Sequence, residues 1–434
     1  MIAITVAITK YVIIFLMALY TYETFQAIRD RAKVDKTRRY CTKQTFLFYI
    51  IHLCCYLTIY LHTLKDSIII FYGAQLIYFI LLIEINKLLY KNHNRQLLNL
   101  MSMMLMLGFT MLTRLSFDKA IRQFVICVIA TIAAFFIAYI MKKIKTLRMY
   151  SYLYAIVGIV ALCTVYAIGE VTYGAKLSLD FVLFTVQPSE FVKISYVMFI
   201  SGLLYKNRNW KNILLSAFLA GIHIVILVLS SDLGTALILS IIYIFMLYMA
   251  TGKSYVLWGG LGLGSVAAYV AYRLFYHVQV RVAAWINPWP IIDDKGYQIT
   301  QSLFAIGTGG LFGMGLYSGL PNSIPVVDQD FIFSAISEEF GAIFAVCLIL
   351  ISLCAFLLFI KTAFQSKDDY YRLVCAGLAV GYGFQLFLTI GGAIKMIPST
   401  GVTYPLISYG GSSLMTTIFM FFVVQGVKIN ENEQ

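Results

Sequence analysis

The sequence predicts an all-α polytopic membrane protein whose chain crosses the bilayer about a dozen times and carries one large extracellular loop. Three observations predict it. Hydrophobic residues fill 61% of the 434 positions and charged residues 12%, with a mean hydropathy of +0.84. A soluble domain carries roughly 25% charge. Apolar stretches of about 20 residues recur, each able to span a hydrocarbon core of ~30 Å. Lys and Arg gather in alternate short loops between these stretches, as the positive-inside rule requires.

In chain order, helical spans are expected near 11–28, 44–64, 68–86, 97–113, 123–141, 149–168, 187–205, 212–230, 233–250, 255–277, 331–360, 373–393 and 405–427. The first lacks a basic start and a small-residue cleavage site, so it reads as a retained helix rather than a signal peptide. The basic loops are Arg29 to Lys43, Lys87 to Arg95, Lys142 to Lys145, Lys206 to Lys211, Lys361 to Arg372 and the tail at Lys428. They place the C-terminus in the cytoplasm and the N-terminus outside. The formal net charge of +13 is spread over these loops. A nucleic-acid footprint needs clustering on one face, so nucleic-acid binding is excluded.

Two external segments are long, about 169–186 and about 278–330. In the second, Trp285-Ile-Asn-Pro-Trp289-Pro has the aromatic character of a stretch lying at the headgroup level. The run Gly307 to Gly315 holds five glycines and is expected to be irregular. Irregular backbone is tolerated near a membrane where it is buried in protein or lines a wet cavity. The eight cysteines and five histidines show no metal-ligand or disulfide spacing. His223, alone on an apolar span, reads as packed rather than catalytic.

Ionisable groups inside spans are costly and mark candidate sites. Glu190 and Lys193 are three apart, face the same side and can pair. That pair either holds helices in register or lines a substrate path. Asp232 precedes the span at 233, where a carboxylate caps the free N–H groups of a first turn; cap and function are compatible. If the later helix starts at Asp330, then Ser334, Ser337 and Gly341 fall within about 40° of it. A carboxylate-headed polar stripe would then face a cavity or a close neighbour, with helix capping as the competing role. The small residues from Ile397 to Ser413 lack the Gly-Lys-Ser/Thr of a phosphate loop and commonly serve close helix approach.

Taken together, these strings carry a specific resemblance. Gln187-Pro-Ser-Glu190, Asp232-Leu-Gly-Thr235 and Arg281…Asn287-Pro-Trp289 occur in order. They are followed by Gly296-Tyr-Gln298-Ile-Thr-Gln301-Ser302, Asp330-Phe-Ile-Phe333, Glu338-Glu-Phe-Gly341 and Ile407-Ser408-Tyr-Gly-Gly-Ser-Ser413. The sequence resembles the shape, elongation, division and sporulation family, that of FtsW, RodA and SpoVE, over about residues 96–434. The run from Leu320 to Val327 looks closer to RodA-type members.

The resemblance implies a ten-helix glycosyltransferase core over 96–434, preceded by an extension of about three transmembrane helices over 1–95. It implies polymerisation of lipid II into peptidoglycan at the outer face of a bacterial plasma membrane, in partnership with a class B penicillin-binding protein. It also implies that Asp330 is the catalytic residue. Glu190, Lys193, Asp232, Arg281, Gln298, Ser302 and Ser408 are expected at the substrate. Relatives often carry His-Thr before the aspartate, where this chain has Asp328-Gln329, so a second carboxylate stands near the expected base. Lys395 replaces what is commonly a small residue.

The chemistry is consistent with these roles. Transfer from a lipid-linked sugar expels a diphosphate, whose negative charge calls for cations. Arg281 and Lys193 are the first candidates, Lys295 and Lys395 the second. A divalent cation is a further option. A flippase, the rival class, needs polar groups across the whole bilayer, whereas here they cluster toward the outer half. A non-catalytic scaffold for cell-wall synthesis leaves the Asp330 stripe unexplained.

Overall fold

The computed structural model describes residues 2–29, 34–90, 93–144, 146–172, 175–181, 184–205 and 209–433. Parts of the basic loops, at 30–33, 91–92, 145 and 206–208, lie outside the described residues. In lipid every backbone N–H and C=O must be satisfied within the segment, so apolar spans fold as helices. The chain opens with α1 (Ile2–Arg29), α2 (Val34–Thr63) and α3 (Asp66–Leu89). The bundle continues with α4 (Arg95–Leu115), α5 (Phe117–Lys143), α6 (Ser151–Ile168), α7 (Pro188–Leu204), α8 (Trp210–Leu229), α9 (Leu233–Thr251) and α10 (Ser254–Leu274). Two short helices follow outside it, α11 (Tyr276–Ile286) and α12 (Tyr297–Gly309). The last long helices are α13 (Ile332–Gln365), α14 (Asp369–Ala393) and α15 (Gly411–Glu433).

Each of the thirteen expected spans is met by one of the long helices, and twelve of those are long and apolar enough to cross a membrane. The remaining one, α7, is a 17-residue helix started by Pro188. Proline suits a first turn, where its missing N–H would have no partner. The helix α4 is enclosed on all sides and its Met-rich run fills the centre of the bundle. By contrast, α10 buries no side chain against protein, as suits a helix exposed to lipid.

The extension packs into the same bundle. Tyr20 Oη donates to the Asn99 carbonyl (2.8 Å), Gln96 Nε2 to the Thr24 carbonyl (3.1 Å) and Asn99 Nδ2 to the Cys41 carbonyl (2.9 Å). These bonds cross from α1 and α2 to α4, each satisfying polar atoms that would be costly unpaired.

Three expectations need correction, and one segment that carried no secondary-structure expectation gains strands. The segment about 169–186 folds, within its described residues, as short antiparallel strands, β1 (Glu170–Thr172), β2 (Ala175–Phe181) and β3 (Phe184–Val186), which satisfy their backbone groups by pairing with one another. The last helix begins at Gly411 rather than 405, because 404–410 turn beneath it. The expected span 255–277 stops at Leu274, and α11 then begins at Tyr276. The glycine run is helical to Gly309 and irregular only from Gly310.

The last of these reshapes α13, which breaks at Gly341 (φ 85°, ψ 169°). There the 310–315 backbone takes up the bonds the helix drops. Met314 N donates to the Glu338 carbonyl (2.8 Å), Gly315 N to that of Glu339 (2.9 Å) and Ala342 N to that of Gly310 (2.9 Å). A Cβ at Gly341 would fall 2.3 Å from Gly313 N, so the two segments can interlock only through glycine.

Candidate active site

Asp330 does not begin the helix. The residue flanking α13 is Phe331, no side chain caps that end, and the helical turns start at Ile332. The expected stripe is therefore shortened: Ser334 and Ser337 lie on α13, but Asp330 precedes it and Gly341 breaks it. Capping, the competing role for Asp330, is not what its carboxylate does here.

Instead Asp330 stands beside the connection between α14 and α15. Gly401 (φ +70°) leaves room where a Cβ would sit 3.2 Å from Arg281 Nη2 and 3.6 Å from Asp330 Oδ2. Base and guanidinium thus meet around one glycine. Burial pushes the Asp330 carboxyl up to about 6, with the Arg281 charge pulling it down and Asp328 pushing it further up. A base ionising close to the working pH is well poised for proton transfer. Arg281 also donates to the Ser399 carbonyl (3.3 Å), which fixes it against the same connection.

The neighbouring carboxylate is otherwise engaged. Lys119 Nζ, in the first turn of α5, binds Asp328 Oδ2 at 2.7 Å. The Asp328 carbonyl accepts from Tyr409 N at 2.7 Å. Ser408 Oγ donates to the Gln329 carbonyl and accepts from Tyr404 N (2.9 Å), while Gln123 Nε2 donates to the Ser408 carbonyl (3.0 Å). Ser408, expected at the substrate, is buried and clamps the turn that presents Asp330. Ser302 is likewise buried, bonded to Ser334 Oγ (2.6 Å) and the Ala393 carbonyl (2.8 Å); it joins α12 to α13 and does not face the open site.

Next to Asp330 lies a cavity of about 370 Å³, lined among others by Arg281, Lys295, Lys395, Gln298, Trp285 and Phe331. Gln298 Nε2 is tied to the Pro325 carbonyl (3.1 Å) and Lys295 Nζ to Tyr276 Oη (2.7 Å). Lys395 takes a left-handed backbone (φ 60°) at the end of α14. The lining combines three cations, Arg281, Lys295 and Lys395, with aromatic Tyr276, Trp285 and Phe331, a mixture that suits an anionic lipid-linked ligand.

Glu190 and Lys193 do pair, inside the bundle. Lys193 Nζ donates to both carboxylate oxygens (2.8 and 2.9 Å) and to Gln385 Oε1 (2.8 Å). An ammonium has three donors, and all are used; its side chain is 1% exposed. Lys193 is thus not free for a diphosphate, and at the cavity Arg281 is joined instead by the second-choice cations Lys295 and Lys395. Gln385 Nε2 continues to the Thr403 carbonyl (3.1 Å). Asp232 caps α9 by accepting from Thr235 N (3.1 Å) and also accepts from Ser189 Oγ (3.0 Å). Two residues on, a Cβ at Gly234 would lie 3.1 Å from the Thr400 carbonyl. The 399–403 segment therefore joins the Glu190 and Asp232 clusters on one side to Arg281 and Asp330 on the other. His223 is packed as expected, stacked on Phe199 with Nδ1 facing the Leu219 carbonyl (2.8 Å).

Lys119, Gln123 and Gln385 were not singled out by the sequence reading. Their one signal was polarity near or within an apolar span. Among the described residues no three His, Cys, Asp or Glu side chains gather as a metal site. With Asp328 already paired to Lys119, these residues do not fit a protein-held divalent cation.

The fold and site define a multi-pass membrane protein with a carboxylate and a cationic cavity at the loop-bearing end of a ten-helix bundle, α4–α10 and α13–α15. The chain belongs to the FtsW/RodA/SpoVE cell cycle protein family, whose model matches residues 94–433. It is 32% identical over 322 residues to the peptidoglycan glycosyltransferase RodA of Mycobacterium leprae, covering 70% of this chain and 69% of that one. It is 32% identical over 326 residues to the stage V sporulation protein E of Bacillus subtilis, covering 73% and 87%. The chain spans about two thirds of the length of the mycobacterial relatives it matches. A chain of a solved peptidoglycan synthase complex that coordinates polymerization and crosslinking shares the fold, with a TM-score of 0.66 at 23% identity over 79% of this chain and 99% of that one.

Proposed function

We propose that this chain polymerises lipid II into glycan strands at the outer face of a bacterial plasma membrane, with Asp330 as the general base. The reaction class is that of its family: the mycobacterial relative is named a peptidoglycan glycosyltransferase, and this chain is an enzyme of the same class. The acceptor sugar hydroxyl gives its proton to the Asp330 carboxylate as its oxygen bonds to the donor's anomeric carbon. The bond from that carbon to the lipid diphosphate breaks, and Arg281, Lys295 and Lys395 meet the departing negative charge. The carrying observation is the different fate of two carboxylates, Asp328 locked to Lys119 and Asp330 held beside Arg281 around Gly401.

On this reading residues 96–434 are the transferase core and 1–95 an added extension. A transpeptidase of the class B penicillin-binding type is the proposed partner, since uncrosslinked strands make no wall. The likeness to a chain of a synthase complex supports it. Purified protein mixed with lipid II is expected to yield glycan polymer, more strongly with its transpeptidase present. Lipid II left intact in both mixtures would overturn the polymerase reading.

The orientation is proposed from the basic loops. A single cysteine at position 36 is expected to resist an impermeant thiol reagent on intact cells, whereas one at position 294 reacts. Labelling of position 36 from outside would reverse the topology.

A further inference from the structure

We propose that the N-terminal extension positions the catalytic loop, with Lys10 and His62 as its positioning residues. The proposal rests on the reading of Asp330 as base and extends it to helices outside the family match, which begins at residue 94. Lys10 Nζ, on α1, donates to the Gly313 carbonyl at 3.0 Å. Beside it the ring of Tyr11 meets that of Phe312 at 5.7 Å. From the end of α2, the His62 ring stacks on Tyr317 at 5.3 Å with 13° between planes. The Arg114 guanidinium, at the end of α4, also lies over the Tyr317 ring, at 4.4 Å. It bonds Glu339 Oε1 (2.8 Å) and the Gly319 carbonyl (3.1 Å).

These contacts fall on the stretch of loop that most needs outside support. Gly313, Gly315 and Tyr317 all have positive φ (72°, 106° and 71°), and for tyrosine that backbone is strained. Such a conformation persists where its surroundings over-determine it. The same stretch is hydrogen-bonded to Glu338 and Glu339, two turns into the helix that follows Asp330. A shift of 310–319 therefore carries the first turns of α13 with it, and the carboxylate at their head. Catalytic geometry tolerates little displacement: about 1 Å of misplacement can cost ~10²-fold.

The test uses full-length protein in detergent, with lipid II polymerisation followed at several substrate concentrations. Lys10→Met is expected to lower kcat roughly ten- to a hundredfold while KM and the melting temperature stay near wild type, and Lys10→Arg is expected to restore kcat. His62→Leu should act in the same direction and His62→Phe, which keeps a ring for stacking, should not. Hydrogen exchange gives a readout independent of turnover: the amides of Met314 and Gly315 should exchange faster in Lys10→Met. Wild-type kcat in Lys10→Met overturns the proposal, whether or not exchange at Met314 and Gly315 changes. Asp330→Asn in parallel separates the two readings. If it is inactive while Lys10→Met turns over normally, the brace alone falls. If Asp330→Asn is fully active, base and brace fall together.

Discussion

Asp330→Asn is expected to abolish glycan polymerisation while leaving the protein folded and able to bind lipid II. General-base assistance typically supplies 10²–10⁴-fold in rate, and an amide cannot accept the hydroxyl proton. Asparagine keeps the size of the side chain, so the space around Gly401 and the position of Arg281 should survive. No cap is lost, because the carboxylate makes no capping bond to α13. Asp328→Asn is the matched comparison two residues away. It removes the partner of Lys119 and should lower yield or stability modestly, since one member of that pair is 42% exposed and solvent screens it. Polymer should still form. Normal synthesis by Asp330→Asn with an inactive Asp328→Asn would move the base by two residues.

The second large effect is on folding. Glu190→Gln or Lys193→Met leaves one charge of a buried pair uncompensated, which costs about 3–5 kcal/mol when well enclosed. The side chains are 8% and 1% exposed, so either single variant should lose most of its folded yield. Exchanging the two charges should recover only part of it. Gln385 Nε2 is committed to the Thr403 carbonyl and its Oε1 to the ammonium, so a carboxylate at position 193 would face an acceptor. Activity should recover less than yield, because Thr403 belongs to the segment that sets Arg281 and Asp330. Size-exclusion profiles and polymer assays on the same preparations measure both. Wild-type yield and activity in both single variants would remove the pair from the account.

The helices were legible because a span of lipid demands a length of apolar chain, and little else of similar length occurs in the sequence. Pairing of Glu190 with Lys193 and capping by Asp232 were also readable, each depending on residues within one turn. What escaped was anything set by contacts distant in sequence. Asp328 finds Lys119 across 209 positions, so the sequence placed a second carboxylate near the expected base without showing that it is paired elsewhere. Ser302 and Ser408 share motifs with the site, yet both spend their hydroxyls holding backbone and neighbouring side chains. The break of α13 at Gly341 depends on the interlock with 310–315, which no local pattern announces. Strands β1 and β3, of three residues each, are too short to carry a periodic signal, but β2 alternates apolar and polar from Ala175 to Phe181, a strand pattern that was legible and went unread.

The pH dependence of kcat tests the central claim, that the Asp330 carboxylate is the base, most directly. A base works only when ionised, so the rate should fall with one-proton steepness as pH drops through about 6 and level off above it. The Arg281 charge favours the ionised carboxylate and so lowers its pKa, whereas the Asp328 charge raises it. Arg281→Gln should therefore move the limb to higher pH and Asp328→Asn to lower pH. A profile flat between about pH 5 and 8, or a limb that neither substitution moves, would contradict Asp330 as the base.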